Sequence, residues 1–434
     1  MLRLEAMSTW KKATDYRIET ISVDGNEIKG LFFALEFYET IYSSAVTGNL
    51  VCVETTGNPF LYDKQIEGSE KIDIMASSPQ GDIFFSGYIN KISNRNYSSN
   101  GQITYVLEFT SSLVRENESK VMTERFKETN CEEVVDKAFS KLTEQAEIPI
   151  RKDKFLGAGE PMNFLASGWK PVRVIDYVLK HGQPGRDGGG TTEGDKRTGA
   201  IGKASGKGGF YFFETIKGCR YGTASELLEG RLGTLVQEDL KLAMAPEMGA
   251  LEETKNYILE YHTIQNNDTQ SQMRIGAYRS RQVAFDLDSG FYMEQIYESP
   301  NMTEKQRALS STPTRTFVTP MQNNRWNNEC ERENPNRVDQ QLKTTLQQSS
   351  NINTLSEGIC QFTLPSRPDL FAGDVIQIIV GETGAQSSGE SDKKFSGRWV
   401  IASLAHHYMM EANGCYTKLT CVRSSNQQTE EQSF

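Results

Sequence analysis

No cysteine in this chain has a second cysteine three positions away, and none stands near a histidine at zinc-like spacing. The seven cysteines (Cys52, Cys131, Cys219, Cys330, Cys360, Cys415 and Cys421) are odd in number and scattered, so reduced structural thiols are expected rather than a disulfide framework or a zinc ribbon. Histidine is scarce, at 4 in 434 residues, and neither a His-Glu-x-x-His helix nor a Gly-x-Ser-x-Gly elbow occurs. No apolar run approaches the roughly 20 residues of a membrane span, and Met1 to Trp10 holds no apolar core of a signal peptide. Synthesis and assembly in a cytoplasm are the expectation. Basic residues are outnumbered, 47 against 57 acidic, for a net charge of −10. That balance argues against an ordinary nucleic-acid reader, which carries a basic face.

What is present is a β-hairpin that occurs twice. Phe85-Ser86-Gly87 opens an apolar stretch through Tyr88, Ile89 and Ile92 to Asn100-Gly101, which returns through Ile103, Thr104, Val106 and Phe109 to Ser111-Ser112. Phe395-Ser396-Gly397 opens a second through Trp399, Val400, Ile401 and Leu404 to Asn413-Gly414, which returns through Tyr416, Thr417, Leu419 and Val422 to Ser424-Ser425. Asn-Gly between alternating apolar runs is the strongest short hairpin signal, because a type I′ turn needs positive φ at both central residues. The equal spacing from each Asn-Gly to each Ser-Ser predicts that Phe85 overlays Phe395, that Gly87 overlays Gly397, and that Ile103 and Tyr416 face matching environments.

Around these hairpins, residues 15–117 read as an all-β unit of about six strands, with an Asp24-Gly25 turn, and short strands at such spacing fit a barrel or sandwich. The middle is different. Asn130 with Glu133 opens a helix whose apolar face is Val134, Val135, Ala138, Phe139 and Leu142, ending by Pro149. Pro171 opens another, carrying Val174, Ile175, Val178 and Leu179 and stopping at Gly182. Gln183 to Gly209 is glycine-rich with few apolar residues and reads as a mobile loop. Strand-like segments follow at Phe210 to Glu214, Tyr257 to Tyr261 and Val283 to Asp286. A polar connection, Pro300 to Asn336, precedes a helix from Arg337 to Gln348. A second β unit holds Ile359 to Leu364 and Val375 to Val380.

The glycine-rich loop fails as a phosphate loop: Gly202-Lys203 is followed by Ala204 and Gly206-Lys207 by Gly208, where the Walker motif needs Ser or Thr. His406-His407 would point to opposite faces of a strand and cannot share a metal. His181 falls in the last turn of its helix, where a cation is favoured, and His262 is isolated. Paired carboxylates for glycoside hydrolysis are left open, because the fold decides their spacing. The candidate site inventory therefore stands at no catalytic, cofactor-binding or metal residue.

Several stretches together resemble the central baseplate hub proteins of contractile-tailed phages, which are related to the hub portion of type VI secretion spike proteins. These are Phe210-Tyr211-Phe212-Phe213-Glu214 with Gly218, Arg220, Ser225 and Leu227; Gly168-Trp169-Lys170-Pro171; Gly276-Ala277-Tyr278 with Ser280; and Ala372-Gly373-Asp374-Val375-Ile376 with Ser396-Gly397, His406 and Thr417 to Arg423. The resemblance spans most of 15–425 and departs in the glycine-rich loop and beyond Arg423. It implies a mainly β chain with some helix (α+β), made of two tail-tube-like β-barrels and a mixed α/β middle region. The corresponding division is an N-terminal arm (1–14), a first barrel (15–117), the middle domain (118–250) with its loop at 183–209, strand segments and a connecting helix (251–350), a second barrel (351–425) and a polar tail (426–434). It also implies a non-enzymatic homotrimer without cofactors, in the virion tail baseplate. Six barrels around its axis would adapt the six-fold tail tube above to the three-fold spike below, with baseplate wedge proteins as possible neighbours and DNA passing the channel without specific binding. Two other readings compete: a tail-associated cell-wall hydrolase and a nucleic-acid-binding β-barrel protein.

Overall fold

The computed structural model describes residues 10–55, 60, 66–99, 101–159, 161–182, 184, 191–192, 202–204, 209–242, 255–266, 268–286, 292–299, 302, 304–321, 346, 350, 353, 355, 357–379, 396–410 and 414–423. Seven strands come first: β1 (Arg17–Val23), β2 (Asn26–Glu27), β3 (Phe32–Thr40), β4 (Thr47–Thr55), β5 (Lys71–Ser78), β6 (Gly81–Tyr97) and β7 (Gln102–Ser111). Asp24 and Gly25 between β1 and β2 both take positive φ, 46° and 77°, as a two-residue I′ turn requires. Burial follows the period-two pattern of the sequence. In β7, Ile103, Tyr105, Leu107 and Phe109 turn inward and the residues between them do not. These inward faces share one core. Phe37 of β3 lies 5.6 Å from Phe85 of β6, ring centre to ring centre, although β4 and β7 stand between those strands. In a flat sheet three strand spacings would hold them about 14 Å apart, so the unit is strongly curled.

The middle opens with α1 (Ser112–Ser119), β8 (Met122–Asn130), α2 (Cys131–Thr143), β9 (Lys152–Phe155), β10 (Pro161–Trp169) and α3 (Pro171–His181). The expected faces of α2 and α3 are buried except for half-buried Leu179, and Pro171 occupies the first turn. Asn130 is at the N-cap position of α2 without a side-chain hydrogen bond. Then come β11 (Thr191–Thr192), β12 (Gly202–Ala204), β13 (Phe210–Thr215), β14 (Gly218–Thr223) and α4 (Ala224–Leu228). Within the expected mobile loop, β11 and β12 pair with each other. The rest of 183–209, apart from Pro184 and Gly209, lies outside the described residues.

The last third contains β15 (Leu235–Leu242), β16 (Tyr257–Ile258), β17 (Glu260–Asn266), α5 (Thr269–Ile275), β18 (Arg279–Asp286), β19 (Tyr292–Glu298), α6 (Glu304–Leu309), β20 (Arg315–Met321), β21 (Gly358–Pro365), β22 (Val375–Ile379), β23 (Gly397–Met409) and β24 (Gly414–Arg423). The segment expected as a polar connection thus carries α6 and β20. Strand β20 joins β18, β19, β12 and β11 in a separate five-stranded sheet: its Thr316, Phe317 and Val318 supply the β-branched and aromatic character that the polar neighbours masked. The helix expected over Arg337 to Gln348 lies outside the described residues except for Leu346, as do the arm up to residue 9 and the tail beyond Arg423.

The chain is mainly β with some helix. The two expected barrels, however, belong to one pairing network. The described ladders form a 14-stranded sheet whose path β2-β1-β5-β6-β7-β4-β3 continues through β23 into β22, β15 and β16, with β24, β21 and β17 branching from β23. Strand β3 meets β23 over Ala34–Thr40 and Ser403–Met409, and no ladder among the described residues closes on itself.

Within that sheet the duplication is plain. The first unit reads β5-β6-β7-β4-β3 and the second β22-β23-β24-β21-β17, with every neighbour antiparallel in both. The next strands differ, since β1 runs antiparallel to β5 and β15 parallel to β22. The hairpin ladders also agree over five successive pairs, beyond which the first shifts again between Ser93 and Asn96 and the second runs on unbroken. Tyr88↔Thr110, Ile89↔Phe109, Lys91↔Glu108, Ile92↔Leu107 and Ser93↔Val106 match Val400↔Val422, Ile401↔Cys421, Ser403↔Thr420, Leu404↔Leu419 and Ala405↔Lys418, each number being higher by 312. Both ladders skip one residue at the same point, Asn90 in one and Ala402 in the other. Bulges of this kind are built features that bend a strand.

This register corrects the one expected from the sequence. Aligning Gly101 with Gly414 is off by one residue, and a one-residue slip reverses every side chain. Ile103 is buried whereas Tyr416 is half-buried, and the inward residues of β24 are Cys415, Thr417, Leu419 and Cys421. Gly87 and Gly397 are not equivalents either; Gly87 corresponds to Trp399 in the common numbering. Phe395 lies outside the described residues. The two glycines have separate reasons. A Cβ at Gly87 would lie 2.3 Å from the Thr110 carbonyl, whereas Gly397 takes φ 122°.

Candidate functional site

The most concentrated polar chemistry among the described residues lies where three parts of the chain meet. Hairpin β13–β14 is buried along its whole length and wedges between β3 of the first unit and the Phe371–Val375 corner of the second. Arg220 on β14, 1% exposed, donates from Nε to Asp153 Oδ2 (2.7 Å) and from Nη1 to Asp374 Oδ1 (3.0 Å) and the Ala372 carbonyl (2.9 Å). Asp374 also accepts the Thr234 N–H at Oδ1 (2.8 Å) and the Phe371 N–H at Oδ2 (3.0 Å). Glu39 on β3 accepts the Ile216 N–H (2.8 Å) and the Ala372 N–H (3.0 Å), one at each oxygen. Arg220 and Thr234 thus bridge to Asp374 of the second unit, and Ile216 to Glu39 of the first, through charge-assisted bonds. The corner itself is tight. Gly373 takes φ 84°, and a Cβ there would meet the Phe213 ring at 2.7 Å.

A second carboxylate ties the same hairpin to the first unit. Glu214 Oε2 accepts the Val46 N–H (3.2 Å) and the Ser111 hydroxyl. Burial pushes both Glu39 and Glu214 up to about 7. The N–H groups of Ala372 and Ile216, with Arg220, pull against it at Glu39. The Ser111 hydroxyl and the Val46 N–H do so at Glu214. At Arg220 burial opposes the charge, and Asp374 and Asp153 outweigh it. Burial likewise lifts Asp374 while Arg220 holds it down. Three donors on Asp374 and two carboxylates on Arg220 favour the charged pair. Such a constellation holds parts in register; no nucleophile with an adjacent base occurs in it.

The residues singled out in the sequence sort cleanly. Glu214, Gly218, Arg220 and Ala372 to Val375 all come together at this junction. Gly168 to Pro171 instead opens α3, and Gly276 ends α5 in the left-handed conformation with Tyr278 buried beyond it. His406 faces inward, its Nδ1 3.1 Å from the Thr417 hydroxyl, and burial holds it down to about 4. His407 faces the other way, 3.0 Å from Glu36. His181 lies against Tyr177 at the end of α3, with burial lowering its pKa, and His262 is exposed on β17. The six described cysteines are free and buried. Glu39 and Asp153 went unnoticed in the sequence. For Glu39 the signal was present, since Leu35, Phe37 and Glu39 share the inward face of β3 and a carboxylate on that face needs partners.

No family model matches the sequence, and no curated protein does. The fold is similar to that of the 43 kDa tail protein of prophage MuSo2 from Shewanella oneidensis, with a TM-score of 0.56 at 10% identity over 94% of this chain and 98% of that one. It is also similar to that of a tail protein from Neisseria meningitidis MC58, with a TM-score of 0.53 at 10% identity over 95% and 98%. The architecture is thus one found in phage tail proteins.

Proposed function

We propose that this chain is the structural hub of a phage tail baseplate. In this reading three copies form a closed ring, and each contributes two β units that complete tube-like barrels, so that six alternate about a three-fold axis. The ring joins a six-fold tail tube above to a three-fold spike below and forms part of the channel through which DNA leaves, with wedge proteins around it. It acts in the virion tail, and none of its residues does chemistry.

The observation that carries the reading is the shared ladder: five strands in one order, with one bulge at one position, present twice in a chain. Two copies of one unit give a trimer six equivalent edges, and heterologous contacts between such edges close into rings. The buried junction supports it, because a ring that bears load needs its two units held at a fixed relation. DNA carries one charge per about 1.7 Å of duplex, so a conduit works best with a neutral to acidic wall, which the surplus of carboxylates allows.

Native mass spectrometry of the purified chain tests the proposal, together with an assay for cell-wall hydrolysis. A trimer without hydrolytic activity is expected. A monomer at micromolar concentration would oppose the hub, and release of cell-wall fragments would favour the hydrolase.

A further inference from the structure

Behind the junction, between the first unit and the middle domain, is a cavity of about 280 Å³ that no part of the hub reading uses. Its size is near the small end of ligand pockets, which start at roughly 300 Å³. Glu214 and Ser111 both line it, and both are more than nine-tenths buried. The two donors to Glu214 reach the same oxygen, Oε2. Oε1 has no partner among the described residues, and it is not sealed from solvent as the fully enclosed orphan atoms are. A buried carboxylate with a free oxygen facing a cavity asks for a donor.

The walls say what kind. Phe85, Ile148 and Ile216 give the cavity apolar sides, and Phe84 stands at it 57% exposed, cross-strand from the exposed Met75. Four further charged groups line the cavity, and Cys219 is the cross-strand partner of Glu214. Lys71 is tied to Asp73 at 3.2 Å, Glu147 accepts the Tyr88 hydroxyl at 3.1 Å, Arg151 is exposed, and the Cys219 thiol is held neutral by burial. With Lys71 and Asp73 cancelling, two carboxyl groups face one exposed cation, and the deepest of them, Glu214, becomes anionic as pH rises through about 7.

We propose that this cavity is a socket for a basic side chain, an ammonium or guanidinium on an apolar stem, presented by a protein that docks on the outer face of β5 and β6. The cation meets Glu214 Oε1, and the stem lies along Phe84, Phe85 and Ile216, where an aromatic ring adds cation–π attraction. The exposed apolar pair Phe84 and Met75 beside the socket favours a docked chain over a free diamine, which has no use for that surface. The socket stands independently of the ring, and a chain that proved monomeric would leave it intact.

The test uses the full chain and calorimetric titration with n-butylguanidinium, n-butylammonium, n-butanol and butane-1,4-diamine. The guanidinium should bind at least tenfold more tightly than the alcohol. Its affinity should rise several-fold between pH 6 and pH 8 as Glu214, at about 7, loses its proton. Glu214→Gln should remove both the preference and the pH dependence. Phe84→Ala, at an exposed position that leaves the core intact, should weaken binding several-fold. Equal affinity for the alcohol, a pH-independent wild type or an indifferent Glu214→Gln overturns the socket. Tighter binding of the diamine than of both the guanidinium and n-butylammonium overturns the side-chain assignment in favour of a soluble diamine.

Discussion

Replacing Arg220 by methionine keeps a linear apolar side chain and removes the cation on which the junction converges. Asp374, itself 1% exposed, would keep the N–H groups of Thr234 and Phe371 but lose its counter-charge. Asp153 and the Ala372 carbonyl would each lose a donor. Breaking a buried pair by deleting one partner costs roughly 3–5 kcal/mol, because the remaining charge stays uncompensated. The loss should be largest near pH 8. At pH 5 it should shrink, because burial already raises Asp374 and without Arg220 its carboxyl takes a proton more readily. Urea denaturation followed by tryptophan fluorescence measures this. Asp374→Asn and the double variant complete a cycle, whose interaction energy should lie at about 1–3 kcal/mol. A single variant within about 1 kcal/mol of the parent at pH 8, or strictly additive losses, would refute the claim that this network locks the middle domain to the second unit.

Glu214→Gln tests the second clasp. The folded pKa of Glu214 is raised from 4.5 to about 7, so its contribution is full below about 4.5 and is lost as pH rises through about 7, up to ~3 kcal/mol. Buried His406, lowered to about 4, acts with the opposite sign in the same range, so the parent must be compared with the variant. Melting temperatures at pH 5 and pH 8 should show the parent losing ground relative to Glu214→Gln as pH rises, and a constant difference would reject the assignment. Gly373→Ala combines positive φ with a clash on the Phe213 ring and should cost about 1–3 kcal/mol. Gly30→Ala, where a Cβ meets nothing within 4 Å, should stay within about 0.5 kcal/mol in the same urea titration. Deleting Ala402 removes the second bulge and slips the end of β23 against its partners by one residue. Circular dichroism should show loss of the cooperative fold, whereas a native-like transition would mean that the shared bulge does not set register.

The element types were legible where local chemistry decides them. Period-two alternation exposed the strands of the first unit, and Asp24-Gly25 fixed its turn. Pro171 and the apolar face of α2 marked the helices. The duplicated hairpin was legible as a repeat but not in register, because equal distance from a turn does not determine pairing once a bulge intervenes. The skipped residues Asn90 and Ala402 carry nothing distinctive in sequence. Joining of the two units through β3 and β23 was invisible, since contacts between residues some 370 positions apart leave no local trace. The junction was half legible. Arg220 and Asp374 stood within stretches of family resemblance, and Glu39 betrayed itself only as a carboxylate in phase with Leu35 and Phe37. Asp153, on a short strand, offered no such pattern.

The proposed hub requires the duplicated β units to alternate around a three-fold axis. Electron cryomicroscopy of the assembled chain tests it most directly. Three copies and six β units in one ring are expected, first unit beside second throughout, with Asn90 and Ala402 at equivalent heights along the axis. A monomer, or a ring in which like units adjoin, would contradict it.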